Sequence, residues 1–115
     1  MNTFYIEVPG RCVPCPRPRA VRGRGAYYPQ RYTDWLDSAR YETLRAVGKV
    51  LWSGPVSLKA LFYGVRPNAD IDNLIKSGMD ALQGIIIVDD KQVMSVCAEK
   101  WVEGPARTEL TIQKA

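Results

Sequence analysis

The sequence predicts an α+β fold, mixed α/β in character, with two helices on one sheet of about four to five strands. Three observations lead there. Val56 to Tyr63, VSLKALFY, alternates with period two, which marks a half-buried strand. From Ile71 the period changes: Ile71, Leu74, Ile75, Gly78 and Leu82 fall at offsets of 0, 3, 4, 7 and 11, one face of a helix. Past Gln92 two more alternating stretches follow, separated only by turn residues.

The elements follow in order. Phe4 to Val8, FYIEV, is aromatic and branched and reads as a strand that stops at Pro9-Gly10. Residues 9–31 hold five prolines, three glycines and no apolar periodicity, so they read as a long basic loop, with Tyr27 and Tyr28 docking its end onto the core. Thr33 is expected to cap a helix through DWLDSARYETLRAV, with Asp34 in the first turn, Arg45 near the last and Gly48 as the stop. Its apolar stripe is Leu36, Ala39, Tyr41, Thr43, Leu44 and Val47, and Trp35 anchors its first turn. Strand 56–63 runs into Pro67, which ends regular pairing. The helix from Ile71 closes at Gly84, and the continuous hydrocarbon of Ile85 to Val88 reads as a buried strand. Val93 to Val102 and Arg107 to Ile112, joined by Glu103-Gly104-Pro105, are expected to form a hairpin. The whole, residues 1–115 with the loop 9–31 included, is expected to be one domain.

Composition excludes several classes. No apolar run exceeds four residues, far short of the roughly 20 that cross a bilayer, and the amino terminus shows no basic leader before an apolar core. A cytoplasmic protein is therefore expected. The chain has no histidine, so imidazole bases and histidine-bearing zinc sites are ruled out. Cys12 and Cys15 form a lone CVPC, and Cys97 is the one further cysteine, which is too few for a zinc cage or a disulfide scaffold. Pro14 and Pro16 hold that pair in extended chain rather than at a strand-to-helix junction, so the reading assigns it no chemistry.

The net charge of +4 is unevenly placed. Residues 1–31 carry six arginines (Arg11, Arg17, Arg19, Arg22, Arg24 and Arg31) against Glu7, a balance of +5; residues 32–115 carry ten basic and eleven acidic groups, a balance of −1. A local arginine cluster on a nearly neutral body suits a polyanion, because neutralising phosphates releases condensed counterions.

Against that background the acids stand out. Asp70 and Asp72 flank the start of the second helix, and Asp89 and Asp90 follow the hydrocarbon run. Singly, Asp72 reads as a first-turn acid tied to Lys76 by an i,i+4 pair. Together, Asp70, Asp72 and one of the Asp89/Asp90 pair make an oxygen-only set of the kind magnesium or manganese takes, while the other acid of that pair caps a turn. GxSxG and phosphate-loop patterns are absent, which leaves metal-assisted phosphodiester hydrolysis, with Lys76 placed to meet a phosphate.

The block DIDNLIKSGMDALQGIIIVDDKQV, Asp70 to Val93, resembles the signature of the RusA-type Holliday-junction resolvases, a crossover junction endodeoxyribonuclease family. Asp70, Asp72, Asn73, Lys76, Asp80-Ala81-Leu82, Asp89-Asp90 and Gln92 carry the likeness. It implies a RusA-like mixed α/β homodimer that binds four-way DNA junctions and cuts two opposed strands with Mg2+ or Mn2+. By that resemblance Asp70, Asp72 and Asp90 match the metal-binding catalytic acids and Lys76 the catalytic lysine. Asn73, Asp89 and Gln92 shape the site, and the arginines of residues 9–31 contact phosphates. Such proteins are often carried by phages and prophages. Two other readings stay open: a branched-DNA-binding protein without turnover, and a metal nuclease acting on flaps or forks.

Overall fold

The computed structural model describes residues 2–16, 19–21 and 25–115. Its elements are β1 (Thr3–Pro9), β2 (Arg19–Val21), β3 (Gly25–Tyr27), α1 (Gln30–Ala46), β4 (Val56–Tyr63), α2 (Ile71–Leu82), a single-turn 3-10 helix (Asp90–Gln92), β5 (Val93–Trp101) and β6 (Arg107–Lys114). Four strands form one sheet in the order β1-β6-β4-β5, and β2 and β3 pair separately as a short antiparallel ribbon. In the main sheet β4 and β5 run parallel, which requires the crossover that α2 supplies, and the other pairs are antiparallel.

Alternation decides which face of the sheet is covered. Val56, Leu58, Ala60 and Phe62 of β4, Ile6 and Val8 of β1, and Thr108, Leu110 and Ile112 of β6 are all buried. The register lines them up across the sheet: Val8 opposite Thr108 opposite Phe62, then Ile6 opposite Leu110 opposite Ala60. Tyr32, Trp35 and Ala39 of α1 and Leu74, Ala81 and Leu82 of α2 complete the same core. At Gly78 an added Cβ would lie 3.2 Å from Leu110 Cδ2, so the glycine lets α2 approach the sheet closely. At Gly64, just past β4, φ is +68° and an added Cβ would sit 2.7 Å from the Ala106 Cα. Only glycine fits where the chain leaves β4 to deliver Asp70.

Four expectations need correction. The helix expected from Thr33 begins at Gln30 after Pro29; Thr33 lies inside it and its hydroxyl donates to the Gln30 carbonyl. The first turn therefore holds no acid, and the buried stripe is Tyr32, Trp35, Ala39 and Thr43, leaving Tyr41 and Leu44 exposed. Ile85 to Ile87 are buried but form a turn with only isolated bridges, because the amides of Ile85, Ile86 and Ile87 all bond back to the Leu82 carbonyl; Val88 is exposed. The last two strands are not a hairpin: β4 lies between β6 and β5. The strand with a fully buried row, β6, takes a central place, and β5, with Met94 and Val96 exposed, takes the edge. Finally, part of the basic loop is ordered as the β2–β3 ribbon. Among the described residues no helix is long and apolar enough to cross a membrane.

Candidate active site

The site is built along α2. Asp70 is the N-cap residue, with extended backbone (φ −76°, ψ 133°), and its carbonyl accepts the Leu74 amide at 3.1 Å. Lys100 of β5 donates to the Ala69 carbonyl and so fixes the approach to Asp70. Asp70 and Asp72 are exposed; the Asp72 carboxylate accepts the amide of Asn73 at 2.9 Å.

Asp72, Lys76 and Asp80 succeed one another at four-residue steps along one helix face. The Asp72–Lys76 pair read from that spacing does not form. Lys76 Nζ donates instead to Asp80 Oδ1 at 2.6 Å and to Asp90 Oδ2 at 3.2 Å. Two carboxylates on the C-terminal side outweigh one on the N-terminal side. Burial pulls the acidity of the Lys76 ammonium toward lower pH, but Asp80 and Asp90 overcome this and hold its pKa up at about 12.

The adjacent acids Asp89 and Asp90 have different surroundings. Asp89 caps the 3-10 turn: its carboxylate accepts the Lys91 amide at 2.8 Å, and that bond lowers its pKa. Gln92 closes the turn from the other side, accepting the Val88 and Asp89 amides and donating to the carbonyls of Trp52 and Gly54. The Asp90 amide is bonded to the Gln83 side chain, and its carboxylate faces Lys76. The turn is pinned, and it presents Asp90 to α2.

Sequence reasoning missed the role of Asp80. Its Oδ2 accepts the Tyr32 hydroxyl at 2.5 Å and is approached by the Cys15 thiol at 3.7 Å, while Oδ1 takes Lys76. Arg40 of α1 donates to the backbone carbonyls of Asp80 and Gln83. The four-residue step from Lys76 to Asp80 was the available signal, but Tyr32 and Cys15 come from distant parts of the chain. Cys12 and Cys15, expected as idle loop residues, are both buried. Burial raises both thiols, Cys12 to about 12, so neither is a ready thiolate nucleophile.

Beside Asp70 lies a notch lined by Pro14, Arg31, Arg66, Asn68 and Asn73, and an adjoining one is lined by Arg11, Arg31 and Arg66. Arg66 also escaped the sequence reading, since it stands outside the arginine-rich segment. Arg11 Nε is bonded to the Gly64 carbonyl at 3.0 Å. Arg19 opens β2. Arg17, Arg22 and Arg24 lie outside the described residues.

Among the described residues no three Asp, Glu, Cys or His side chains converge as a preformed metal cage. The donor types nevertheless fit magnesium or manganese. These ions take carboxylate oxygens, and magnesium commonly binds through one or two carboxylates completed by water and substrate phosphate. Asp70, which lines the arginine-bearing notch, and Asp72, both exposed, suit that partial coordination.

Fold and site together define a small α+β protein whose candidate site is made of carboxylate, ammonium and guanidinium groups. The chain belongs to the RusA family: the family model described as Endodeoxyribonuclease RusA matches residues 9–113. Membership supports, at the level of the family, nuclease activity and a Holliday-junction resolvase function. Comparison with curated proteins gives no match.

Proposed function

We propose that this chain is a metal-dependent endonuclease that resolves four-way DNA junctions by paired, symmetric phosphodiester cleavage. The observation that carries the proposal is the Lys76–Asp90 contact, one helical turn from Asp72, in a chain matched to RusA over nearly its whole length. Asp70, Asp72 and Asp90 would hold Mg2+ or Mn2+. When bound, such ions lower the pKa of water and polarise phosphoryl oxygens.

The chain's own residues supply the rest. With a pKa near 12, Lys76 stays protonated at neutral pH and works as a cation on the scissile phosphate or leaving oxygen rather than as a base. Asp89 and Gln92 hold the turn that presents Asp90. Arg31 and Arg66 receive neighbouring phosphates, which positions DNA without reading its sequence. Two copies related by a two-fold axis would meet the two equivalent strands of a junction.

The test compares an end-labelled four-way junction with flap, fork and linear duplex substrates, with and without Mg2+ or Mn2+. Paired nicks in opposed strands of the junction, dependent on the metal, are expected. Preferential cutting of flaps or forks would replace the junction assignment. Tight junction binding without nicking at any metal concentration would make this a binding protein.

A further inference from the structure

We infer that Asp80, locked by Tyr32 of α1, is the positioning residue that holds the Lys76 ammonium in place, so that Tyr32 contributes to cleavage without touching DNA. The inference deepens the endonuclease reading and rests on it for the role of Lys76.

The geometry separates the duties of the two Asp80 oxygens. Oδ2 accepts the Tyr32 hydroxyl and faces the Cys15 thiol, while Oδ1 accepts Lys76 at 2.6 Å. Turning the carboxylate to release Lys76 would also break its bond to Tyr32. Tyr32 cannot follow, because it is 1% exposed and packed in the core. The main chain is fixed too, since Arg40 donates to the Asp80 carbonyl at 3.0 Å and to that of Gln83 at 2.6 Å.

Lys76 needs such a hold. Its ammonium sits on a flexible four-carbon stem, and its side chain is 43% exposed. Its other partner, Asp90, is farther away at 3.2 Å and is assigned to metal binding in the proposed mechanism. Asp80 is the nearer anchor and has no other assigned part in that chemistry. A simpler reading is that Asp80 merely satisfies the buried Tyr32 hydroxyl. The two readings differ in what happens to Lys76 once that hydroxyl is gone.

The experiment uses the full chain labelled with 15N-lysine. The Lys76 ammonium signal, assigned by its loss in Lys76→Arg, is followed for exchange with water at low temperature and mildly acidic pH. Exchange at least about tenfold slower than at exposed lysines is expected for an ammonium held by two carboxylates. Asp80→Asn, which leaves Asp90 as the one carboxylate partner, should bring it most of the way to the exposed-lysine rate, and should do so equally in a Tyr32→Phe background. Tyr32→Phe alone, which keeps the buried ring, should give an intermediate rate, and it carries the test if Asp80→Asn fails to fold.

Single-turnover cutting and junction affinity are measured on the same proteins. Asp80→Asn should slow cutting by about 10–100-fold, the scale of a small misplacement of a catalytic group, with the Kd for junction within about threefold. A Lys76 signal unchanged by Asp80→Asn, or changed only while the Tyr32 hydroxyl is present, would overturn the inference. A freed Lys76 with undiminished cutting would overturn its catalytic part. If the wild type does not cut but Asp80→Asn still frees Lys76, the endonuclease reading fails and the positioning stands.

Discussion

The two ends of α2 carry the same residue type under different conditions. At the start, Asp70 makes no side-chain capping bond and Asp72 accepts only the adjacent Asn73 amide among the described residues. Toward the end, Asp80 accepts Tyr32 and Lys76 and is approached by Cys15. An exposed carboxylate with little to lose can take an outside ligand. A carboxylate already satisfied by neighbours serves the protein's own geometry. Asp90 lies between these cases, pinned through its backbone and sharing Lys76 with Asp80.

That contrast is open to substitution. Asp70→Asn and Asp72→Asn should each lower single-turnover cutting of a four-way junction by about 10³-fold or more. Because both acids are exposed, thermal stability and junction affinity should barely change. A large loss of stability in either variant would mean that the open end of α2 is structural after all.

The notch beside the open end offers a smaller effect. Arg66→Ala and Arg31→Ala should each weaken junction binding by about 3–10-fold and reduce the steepness of its salt dependence by about one unit. The check is binding measured over a salt series in the presence of Ca2+. Unchanged salt dependence would remove the notch from the DNA path.

The smallest effect concerns the satisfied end. The pKa of Lys76 is raised in the folded chain from 10.5 to about 12, so its pairing stabilises fully below pH 10.5 and is lost as pH rises through 12. Lys76→Met should therefore lower the melting temperature by a degree or two at neutral pH, a small amount because the pair is partly exposed, and by progressively less as pH rises toward and past 12. A difference that did not shrink over that range would point to packing of the lysine stem instead.

The same two ends explain what a linear reading can recover. β4 matched its expected span because its apolar alternation is unbroken, and α2 did so because Leu74, Gly78 and Leu82 of the expected stripe meet the core, although Ile71 is exposed and Ser77 and Ala81 are buried in addition. The stripe of α1 has the same helical spacing, but it begins at Tyr32, ahead of the expected cap, and exposed Tyr41 and Leu44 blurred it. Strand order was hidden because turn residues between β5 and β6 suggest a hairpin, whereas the greater burial of β6 draws it between β1 and β4. Spacing singled out Asp70, Asp72, Lys76 and the Asp89/Asp90 pair, and the resemblance to the RusA-type resolvases selected Asp90 from that pair. The parts played by Asp80 and Arg66 depend on Tyr32 and Arg31, which only folding brings near them.

The most direct measurement is paramagnetic broadening by Mn2+ of the backbone amides of the 15N-labelled chain in complex with a four-way junction made uncleavable by modified linkages at its centre, with Asp70→Asn and Asp89→Asn as comparisons. Broadening of residues 71–73 together with 89–91 is expected, weakened by Asp70→Asn and kept in Asp89→Asn. Broadening confined to one of these segments, or centred elsewhere in the fold, would contradict a shared metal site formed by Asp70, Asp72 and Asp90.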